Sequence, residues 1–176
     1  MMKTSLGLIQ VYTGNGKGKT TASLGLALRA CGHGFKVCMF QFMKNNPDYG
    51  EMKAAHLLPG FKIIPVGRNE FVNLKNPESI DIQLARDGWE LAKSVLRSRE
   101  YNIVILDEIN VAMACGLVDT REVVSFLQEI KGETEILLTG RYAPAEIIAI
   151  ADLVTEMCEV RHPYSQGVEA RQGIDY

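Results

Sequence analysis

The residues with the clearest chemical potential form one glycine-rich loop, Gly14-Asn15-Gly16-Lys17-Gly18-Lys19-Thr20-Thr21. Its glycines allow successive backbone N–H groups to turn toward one point, which makes an anion-binding nest where a helix begins. Lys19 adds a mobile positive charge, and the hydroxyl of Thr20 is placed to bind Mg²⁺. Because the loop follows a predicted strand and precedes a predicted helix, it is typical of a site for nucleotide phosphates.

Two features of the loop depart from the common pattern. The residue five positions before Gly18 is Thr13, where that pattern has a glycine. A second lysine, Lys17, lies inside the loop. Lys17 is either a solvated lysine or a second phosphate contact, and the charge of a polyphosphate would draw it toward the nest. The loop therefore predicts a triphosphate site but leaves the chemistry open, since such loops serve many functions.

A pair of acidic residues ends a buried run of the sequence, in the stretch IVILDEIN. Mg²⁺ takes few carboxylates and completes its coordination with phosphate oxygens and water, so one of Asp107 and Glu108 suffices as a ligand, directly or through water. The other would orient water or a helix. Arg141 follows a later apolar run and would either neutralise a phosphate or hold a carboxylate. These residues predict a site for Mg²⁺ and a nucleoside triphosphate.

Apolar runs alternate with helical patterns along the chain, and these elements must position the residues above. The runs predict strands at residues 6–12, 37–42, 61–66, 103–106, 134–138 and 153–160. Apolar strands that are each followed by an amphipathic helix favour an α/β fold, with a mostly parallel sheet and helices on both faces. Right-handed crossovers put the C-terminal ends of the strands at one edge, where ligands bind. We therefore expect the loop, Asp107-Glu108 and Gly140-Arg141 to meet there.

Helical periodicity indicates which faces the helices should bury. The first predicted helix ends at Gly32-His33-Gly34, and the second begins at Asn76-Pro77. Asp119 and Glu122 are typical of the cap of a third. The predicted buried positions of the first two helices are Leu24, Ala27, Leu28, Cys31, Ile80, Leu84, Leu91 and Val95. The polar, turn-rich stretch 43–60 predicts a mobile loop beside the site.

Composition narrows the class of protein. The chain has 176 residues, of which 47% are hydrophobic and 23% charged, and this suits one globular domain over residues 1–176. A net charge of -2 without a basic run argues against a nucleic acid partner. The four cysteines form no CxxC pair, no signal-peptide pattern is present, and no apolar run is as long as a membrane span. These features predict a cytoplasmic protein with reduced thiols and no membrane partner.

Several stretches taken together resemble one family. They are YTGNGKGKTTASLGLALRACGHG, VCMFQF with GE shortly after, ILDEIN, LLTGR and the terminal GIDY, and they extend over residues 7–176. The sequence is similar to the P-loop ATP:corrinoid adenosyltransferases, of the type that acts on cob(I)yrinic acid a,c-diamide or cob(I)alamin. The GNGKGKTT loop combined with the terminal GIDY is more specific than a phosphate loop alone. The resemblance implies a three-layer P-loop NTPase (RecA-like) fold.

The resemblance also implies a reaction. The 5′-deoxyadenosyl group of ATP is transferred to the Co(I) of a reduced corrinoid and triphosphate leaves, in the biosynthesis or salvage of adenosylcobalamin. In this family Thr13 stands in place of the loop glycine, and the triphosphate is reversed in the loop so that the ribose C5′ carbon is exposed. Because Co(I) is itself a strong nucleophile, the protein needs no general base. It supplies in-line positioning and stabilises the leaving triphosphate.

By motif position the resemblance assigns roles to individual residues. Lys17, Lys19 and Glu108 would be catalytic, and Mg²⁺ would be held by Thr20 and Glu108, with Asp107 as the further candidate. Arg29 matches a family arginine near the nucleotide, and Arg141 matches the Thr-Gly-Arg element. The implied binding set is Gly14, Asn15, Gly16, Lys17, Gly18, Lys19, Thr20, Thr21, Arg29, Phe71 and Arg141. The family further implies a homodimer and a flavoprotein reductase that supplies electrons.

Two departures from the family pattern are expected to matter. Family members carry a longer N-terminal extension that covers the active site, whereas a few residues precede the first strand here, so corrinoid shielding would be looser or come from a partner. Where many members have Gly-Phe-x-Trp, this chain has VGRNEFVN with one aromatic, Phe71. Phe71 either folds back onto the core, which we favour for a large aromatic in a polar segment, or packs under the corrinoid and excludes water from the cobalt.

Two other classes of protein stay open on the residues alone. One is a P-loop ATPase or small-molecule kinase, in which Glu108 would position water or an acceptor. The other is a corrinoid or nucleotide carrier that binds without turnover. The released product distinguishes an adenosyltransferase from an ATPase or kinase, since adenosyl transfer yields triphosphate and γ-phosphoryl chemistry yields ADP.

Overall fold

Residues 6–176 are described by the computed structural model, and their strands form one parallel sheet. The strands are β1 (Ile9–Thr13), β2 (Val37–Phe42), β3 (Phe61–Val66), β4 (Ile103–Asp107), β5 (Glu135–Thr139) and β6 (Leu153–Glu156). Within the described part of the chain their order is β3-β2-β4-β5-β1-β6, and each neighbouring pair is parallel. The C-terminal ends of β1, β4 and β5 therefore share one edge, which confirms the expectation from the crossover rule.

Helices cover both faces of this sheet. They are α1 (Lys19–Gly32), α2 (Gly50–Ala55), α3 (Ser79–Ser98), α4 (Ile109–Ala114), α5 (Thr120–Ile130) and α6 (Ala145–Ile150), followed by a short 3₁₀ helix at Pro163–Gln166. On one face, α1 packs Ala27 and Ala30 against Met39, Ile105 and Leu137. On the other face, α3, α4 and α5 form a larger core that contains Trp89, Phe126 and Leu127. The fold is thus three-layered, as predicted.

The central strands of the sheet are buried, whereas the edge strand β6 is exposed. Every residue of β2, β4 and β5 is buried, as expected for parallel strands with helices on both sides. The edge strand β6 is exposed at all four positions, and it ends at Glu156 rather than near residue 160 as predicted. Among the described residues, no helix is both long and apolar enough to cross a bilayer.

The predicted helix faces are partly wrong, and the reason is packing. In α1 the buried positions include Ser23, Ala27 and Ala30, whereas Leu28 is 57% exposed. Small side chains let this helix lie close to the sheet, so Leu28 turns outward while Leu24 packs partly buried against the same core. In α3 the buried face is shifted by one position, to Asp81, Ala85, Gly88, Trp89, Ala92 and Leu96. Periodicity alone had assigned the exposed Ile80 and Leu91 to the core.

One helix boundary differs from prediction, and one helix lies where a loop was predicted. The cap of α3 is Glu78, whose side chain accepts from the backbone of Asp81 while Asp81 accepts from the Glu78 N–H, so the helix starts after Asn76-Pro77 rather than at it. The stretch 43–60 contains the helix α2, which the polar composition concealed. The cap of α5 is confirmed, since Asp119 accepts from the backbone N–H of Glu122 at 2.8 Å.

Gly88 gives a direct test of this packing. A Cβ at Gly88 would lie 2.1 Å from Cγ1 of Val66, in the contact between α3 and β3. We expect Gly88→Ala to destabilise the protein by about 1–3 kcal/mol through overpacking. For a chain of this size, each kcal/mol of lost stability lowers Tm by roughly 2–4 °C. Thermal unfolding measures this fall.

The matched control is Gly25→Ala on α1, where a Cβ meets nothing within 4 Å. There the same change should raise stability by about 0.5–1 kcal/mol, because alanine is the better helix former. Equal shifts in both variants would contradict the close contact between α3 and β3.

Candidate active site

The phosphate loop connects β1 to α1 and packs against the segment that follows β6. Gly14 has a φ of 91°, a conformation that favours glycine. The N–H of Gly16 donates to the carbonyl of Met157 at 2.7 Å, and a Cβ at Gly16 would lie 2.7 Å from the carbonyl oxygen of Cys158. Both glycines are therefore required by local geometry, which holds the loop at the edge of the sheet.

Lys19 sits in the middle of this loop. Its Nζ donates to the carbonyl oxygens of Gly14 at 2.8 Å and Gly16 at 2.6 Å, and the residue is only 7% exposed. Burial lowers the pKa of Lys19, and the nearby carboxylate of Glu108 partly offsets that shift. The ammonium group is thus held by the loop itself, at the place where the sequence predicts phosphate.

Asp107 is the centre of a hydrogen-bond network at the end of β4. Its Oδ1 accepts from the hydroxyls of Thr20 at 2.9 Å and Thr139 at 2.6 Å. Its Oδ2 accepts from Nζ of Lys44 at 2.8 Å. Asp107 itself is fully buried, with 0% exposure. Both carboxylate oxygens of Asp107 are therefore engaged by donors of the protein.

Glu108 lies next to this network but takes part in it through its backbone. Its N–H donates to the Thr139 hydroxyl at 3.1 Å, and its φ of 62° turns the chain into α4. Burial raises the pKa of Glu108, and the neighbouring charge of Asp107 raises it further. A Cβ at Gly140 would lie 3.2 Å from Oε2 of Glu108, so the carboxylate reaches across to the end of β5. A cation placed there would favour the ionised carboxylate.

Thr20 and Glu108 fit the donor set that Mg²⁺ prefers. They offer a hydroxyl and a carboxylate, both hard oxygen donors, beside the phosphate loop. The hydroxyl proton of Thr20 points to Asp107, which leaves its lone pairs for a cation. The described residues contain no cluster of three or more His, Cys, Asp or Glu that would hold a metal. A site completed by nucleotide phosphates and water suits this arrangement.

The C-terminal segment lies over the same edge. Nζ of Lys17 is 2.6 Å from Oδ1 of Asp175, and Nε of Arg171 donates to the other oxygen at 3.1 Å. The hydrogen bond from Lys17 is the main reason that the pKa of Asp175 is lowered. The ring of Tyr176 lies 6.2 Å from that of Tyr49, which precedes α2. Since β4 and β5 separate β1 from β2, the terminal segment crosses above their ends.

The remaining predicted residues occupy different places. Arg141 is exposed two residues after the end of β5. Burial is the main cause of the lowered pKa of Lys19 and of the raised pKa of Glu108, and the charge of Arg141 acts to lower both pKa values. Asn15 and Thr21 are exposed on the outside of the loop. Arg29 is exposed in the last turn of α1, about 15 Å along the helix from Lys19. The structure thus gathers the loop, Asp107, Glu108 and Arg141, and it leaves Arg29 apart from them.

Phe71 is a correction. The side chain is 97% exposed, so the interpretation that it folds back onto the core is wrong. In the stretch between β3 and α3 it is the neighbouring Val72 that packs against the core, so the side chain of Phe71 is left in solvent.

Three residues of the site were missed by sequence reasoning. Lys44 follows the end of β2, so the rule that strand ends meet at one edge would have found it. Thr139 lies in the stretch LLTGR, and its hydroxyl donates to Asp107, a role that the sequence did not indicate. Asn110 is fully buried, its amide donates to the carbonyl of Gly140 at 3.3 Å, and its Oδ1 has no partner among the described residues. Asn110 is the last residue of the stretch ILDEIN, a position for which the sequence predicted no role.

Comparison with known proteins shows the family to which the chain belongs. The model of the family described as ATP:corrinoid adenosyltransferase BtuR/CobO/CobP matches residues 5–176. The corrinoid adenosyltransferase of a Sinorhizobium species is 38% identical over 97% of this chain and 80% of that protein. The corrinoid adenosyltransferase of Escherichia coli K12 is 38% identical, over 97% of this chain and 86% of its own length.

A solved structure supports the fold. The flagellar accessory protein FlaH of Methanocaldococcus jannaschii superposes with a TM-score of 0.57 at 16% identity, covering 85% of this chain and 70% of that one. At that identity the likeness concerns architecture alone. The family match extends over nearly the whole sequence, and the chain belongs to the ATP:corrinoid adenosyltransferase family.

Proposed function

We propose that this chain transfers the 5′-deoxyadenosyl group of ATP to the Co(I) of a corrinoid, either cobalamin or cobyrinic acid a,c-diamide. The cobalt electron pair forms the Co–C5′ bond while the C5′–O bond breaks, and its electrons leave with triphosphate. The observation that carries the proposal is the meeting of the phosphate loop with Asp107 and Glu108 at one edge, in a chain of this family. Because the corrinoid brings its own nucleophile, the protein's task is to position C5′ and stabilise the leaving group.

The lysines of the loop are proposed to stabilise the triphosphate. Lys19 is already buried among the loop carbonyls, so its charge lies in a region of low dielectric where it acts strongly on an anion. Lys17 is half-exposed and paired with Asp175, and it would exchange that partner for a phosphate oxygen. Arg141 is proposed to add a third positive charge from the end of β5.

Mg²⁺ is proposed to bind at Thr20 and Glu108, where it would neutralise charge on the triphosphate as this leaves. Thr20 is oriented for this by its hydrogen bond to Asp107. Glu108 is held by its backbone contact to Thr139, and its carboxylate reaches Gly140 at the end of β5. Asp107 is proposed to act on this site through Thr20 rather than as the main ligand.

Product analysis tests the reaction. The enzyme is incubated with MgATP and chemically reduced corrinoid, and the products are separated. Adenosyl transfer gives triphosphate and a light-sensitive Co–C compound in equal amounts. ADP as the nucleotide product would instead identify γ-phosphoryl chemistry, and binding without product would identify a carrier.

Phe71 is proposed to contact the lower face of the corrinoid. Its full exposure on the turn after β3 leaves the ring available to a ligand. We expect Phe71→Ala to leave Tm, ATP affinity and turnover with pre-reduced Co(I) nearly unchanged. The rate should fall about tenfold or more when Co(II) must be reduced on the enzyme, which corresponds to about 1.4 kcal/mol or more in the barrier.

The control for Phe71 is Leu57→Ala, which removes another apolar side chain that is 81% exposed. It should change neither assay. Equal losses for Phe71→Ala with Co(I) and with Co(II) would contradict a role in reduction.

The setting of the reaction is part of the proposal. We infer a cytoplasmic enzyme, because its four cysteines are free thiols. We further propose that the enzyme is a homodimer and that a flavoprotein reductase delivers the electron to Co(II). Sedimentation would test the homodimer, and reconstitution with a purified flavoprotein would test the reductase.

A further inference from the structure

Lys44 forms a partly buried ion pair at the active site that has no role in the reaction proposed above. Its Nζ lies 2.8 Å from Oδ2 of Asp107, and its side chain is 23% exposed while that of Asp107 is fully buried. The residue sits two positions beyond β2, on the far side of β4 from the phosphate loop. An ammonium group therefore approaches the acidic pair from the opposite side to Lys19.

The backbone around Lys44 is held in an unusual form. Met43 has a φ of 59°, a conformation that is strained for a residue with a side chain. Lys44 forms an isolated antiparallel bridge with Val66. A Cβ at Gly67 would lie 2.8 Å from the backbone nitrogen of Lys44, so a glycine is needed there. These three features together turn the chain so that Lys44 meets Asp107.

The charges at this edge show what the contact does. Asp107 and Glu108 are adjacent acids, and without a counter-ion both would attract a divalent cation. Lys44 occupies Oδ2 of Asp107, while the hydroxyls of Thr20 and Thr139 occupy Oδ1. Burial alone would lower the pKa of Lys44, but the carboxylates of Asp107 and Glu108 outweigh it and raise the pKa, so the ammonium stays charged.

We propose that Lys44 is a positioning residue that neutralises Asp107 and keeps its carboxylate off the metal. Asp107 then serves as the acceptor that orients Thr20, and Glu108 alone offers its carboxylate to the divalent cation. This inference rests on the proposed metal site at Thr20 and Glu108. It differs from a further phosphate contact, because Lys44 acts here through Asp107.

Binding of Mn²⁺ to the full chain, without ATP or corrinoid, tests the proposal. The probe is MnCl₂, followed by electron paramagnetic resonance of the free ion. Lys44→Met should tighten Mn²⁺ binding by about tenfold or more, since a second carboxylate becomes available and carboxylate count sets such affinities. Lys44→Arg should bind Mn²⁺ like the wild type. The control Lys53→Met removes an exposed lysine of the neighbouring helix α2 and should have no effect.

The double variant Lys44→Met/Asp107→Asn gives the decisive comparison. Its Mn²⁺ affinity should return to the wild-type value, because the carboxylate that Lys44 masks is gone. Unchanged Mn²⁺ binding in folded Lys44→Met, or tight binding that persists in the double variant, would overturn the proposal. If Lys44→Met alone does not fold, recovery of folding in the double variant supports the neutralising role, and failure of both to fold overturns it.

A separate variant distinguishes this proposal from the metal assignment beneath it. Glu108→Gln should weaken Mn²⁺ binding in the otherwise native chain. If it does not, the metal site itself is wrong, whatever the result for Lys44.

Discussion

Lys19→Ala is expected to reduce the rate of adenosyl transfer by about 10²–10³-fold, as does the loss of one buried donor from other preorganised sites. The ammonium is buried and is held 2.6–2.8 Å from two carbonyls of the phosphate loop, so its charge acts in a region that water screens poorly. The loss should appear in both kcat and kcat/KM for ATP. The measurement is the initial rate of Co–C formation with MgATP and chemically pre-reduced Co(I) corrinoid.

Two controls accompany this prediction. Lys36→Ala removes an exposed lysine directly before β2, at the edge of the sheet opposite to the phosphate loop, and should leave the rate unchanged. Thermal unfolding with and without MgATP separates a weakened site from a weakened fold. The stabilisation by ATP should shrink in Lys19→Ala even where the ligand-free Tm is retained. A rate equal to that of the wild type would show that the phosphate-nest assignment is wrong.

The second large effect concerns the adjacent acids, which the structure places in different surroundings. Glu108→Gln removes a half-buried carboxylate, and we expect the Mg²⁺ concentration for half-maximal rate to rise about tenfold or more. Its Tm should change little. Asp107→Asn removes the counter-ion of Lys44, and breaking such a buried pair costs about 3–5 kcal/mol. That variant should lose roughly 6–20 °C in Tm, at 2–4 °C per kcal/mol.

A metal titration combined with thermal unfolding compares the two variants directly. Glu108→Gln should show the larger shift in metal dependence, and Asp107→Asn the larger loss of stability. The reverse order in the metal titration would make Asp107 the ligand.

The site was predictable to the extent that it follows from strand order and motif. The loop from Gly14 to Thr21 carries its glycines and Lys19 in adjacent positions, so its geometry depends on the local chain. Asp107 and Arg141 follow apolar strands, and right-handed crossovers bring such ends together whatever the intervening sequence. Family motifs then supplied the chemistry, because phosphate loops alone serve many reactions.

Helix faces were less predictable, because they depend on how closely each helix approaches the sheet. Leu28 has the side chain of a core residue, yet Ala27 and Ala30 bring α1 so near the sheet that no room remains for it. Gly88 has the same effect in α3, where Val66 occupies the space that a side chain would need. Periodicity identifies a helix with an apolar side, but the fit of neighbouring surfaces chooses which residues face inward.

Local residues and the regular handedness of the chain are enough to predict the class of fold, the phosphate loop, the two acids at the end of β4 and the family. The folded chain is needed to show that Lys44 pairs with Asp107, that Asp175 reaches Lys17 and that Phe71 faces outward. Lys44 is 63 residues from Asp107, and Asp175 lies at the opposite end of the chain from Lys17. Such contacts depend on the position of whole strands and segments in space, and spacing along the sequence carries no record of that position.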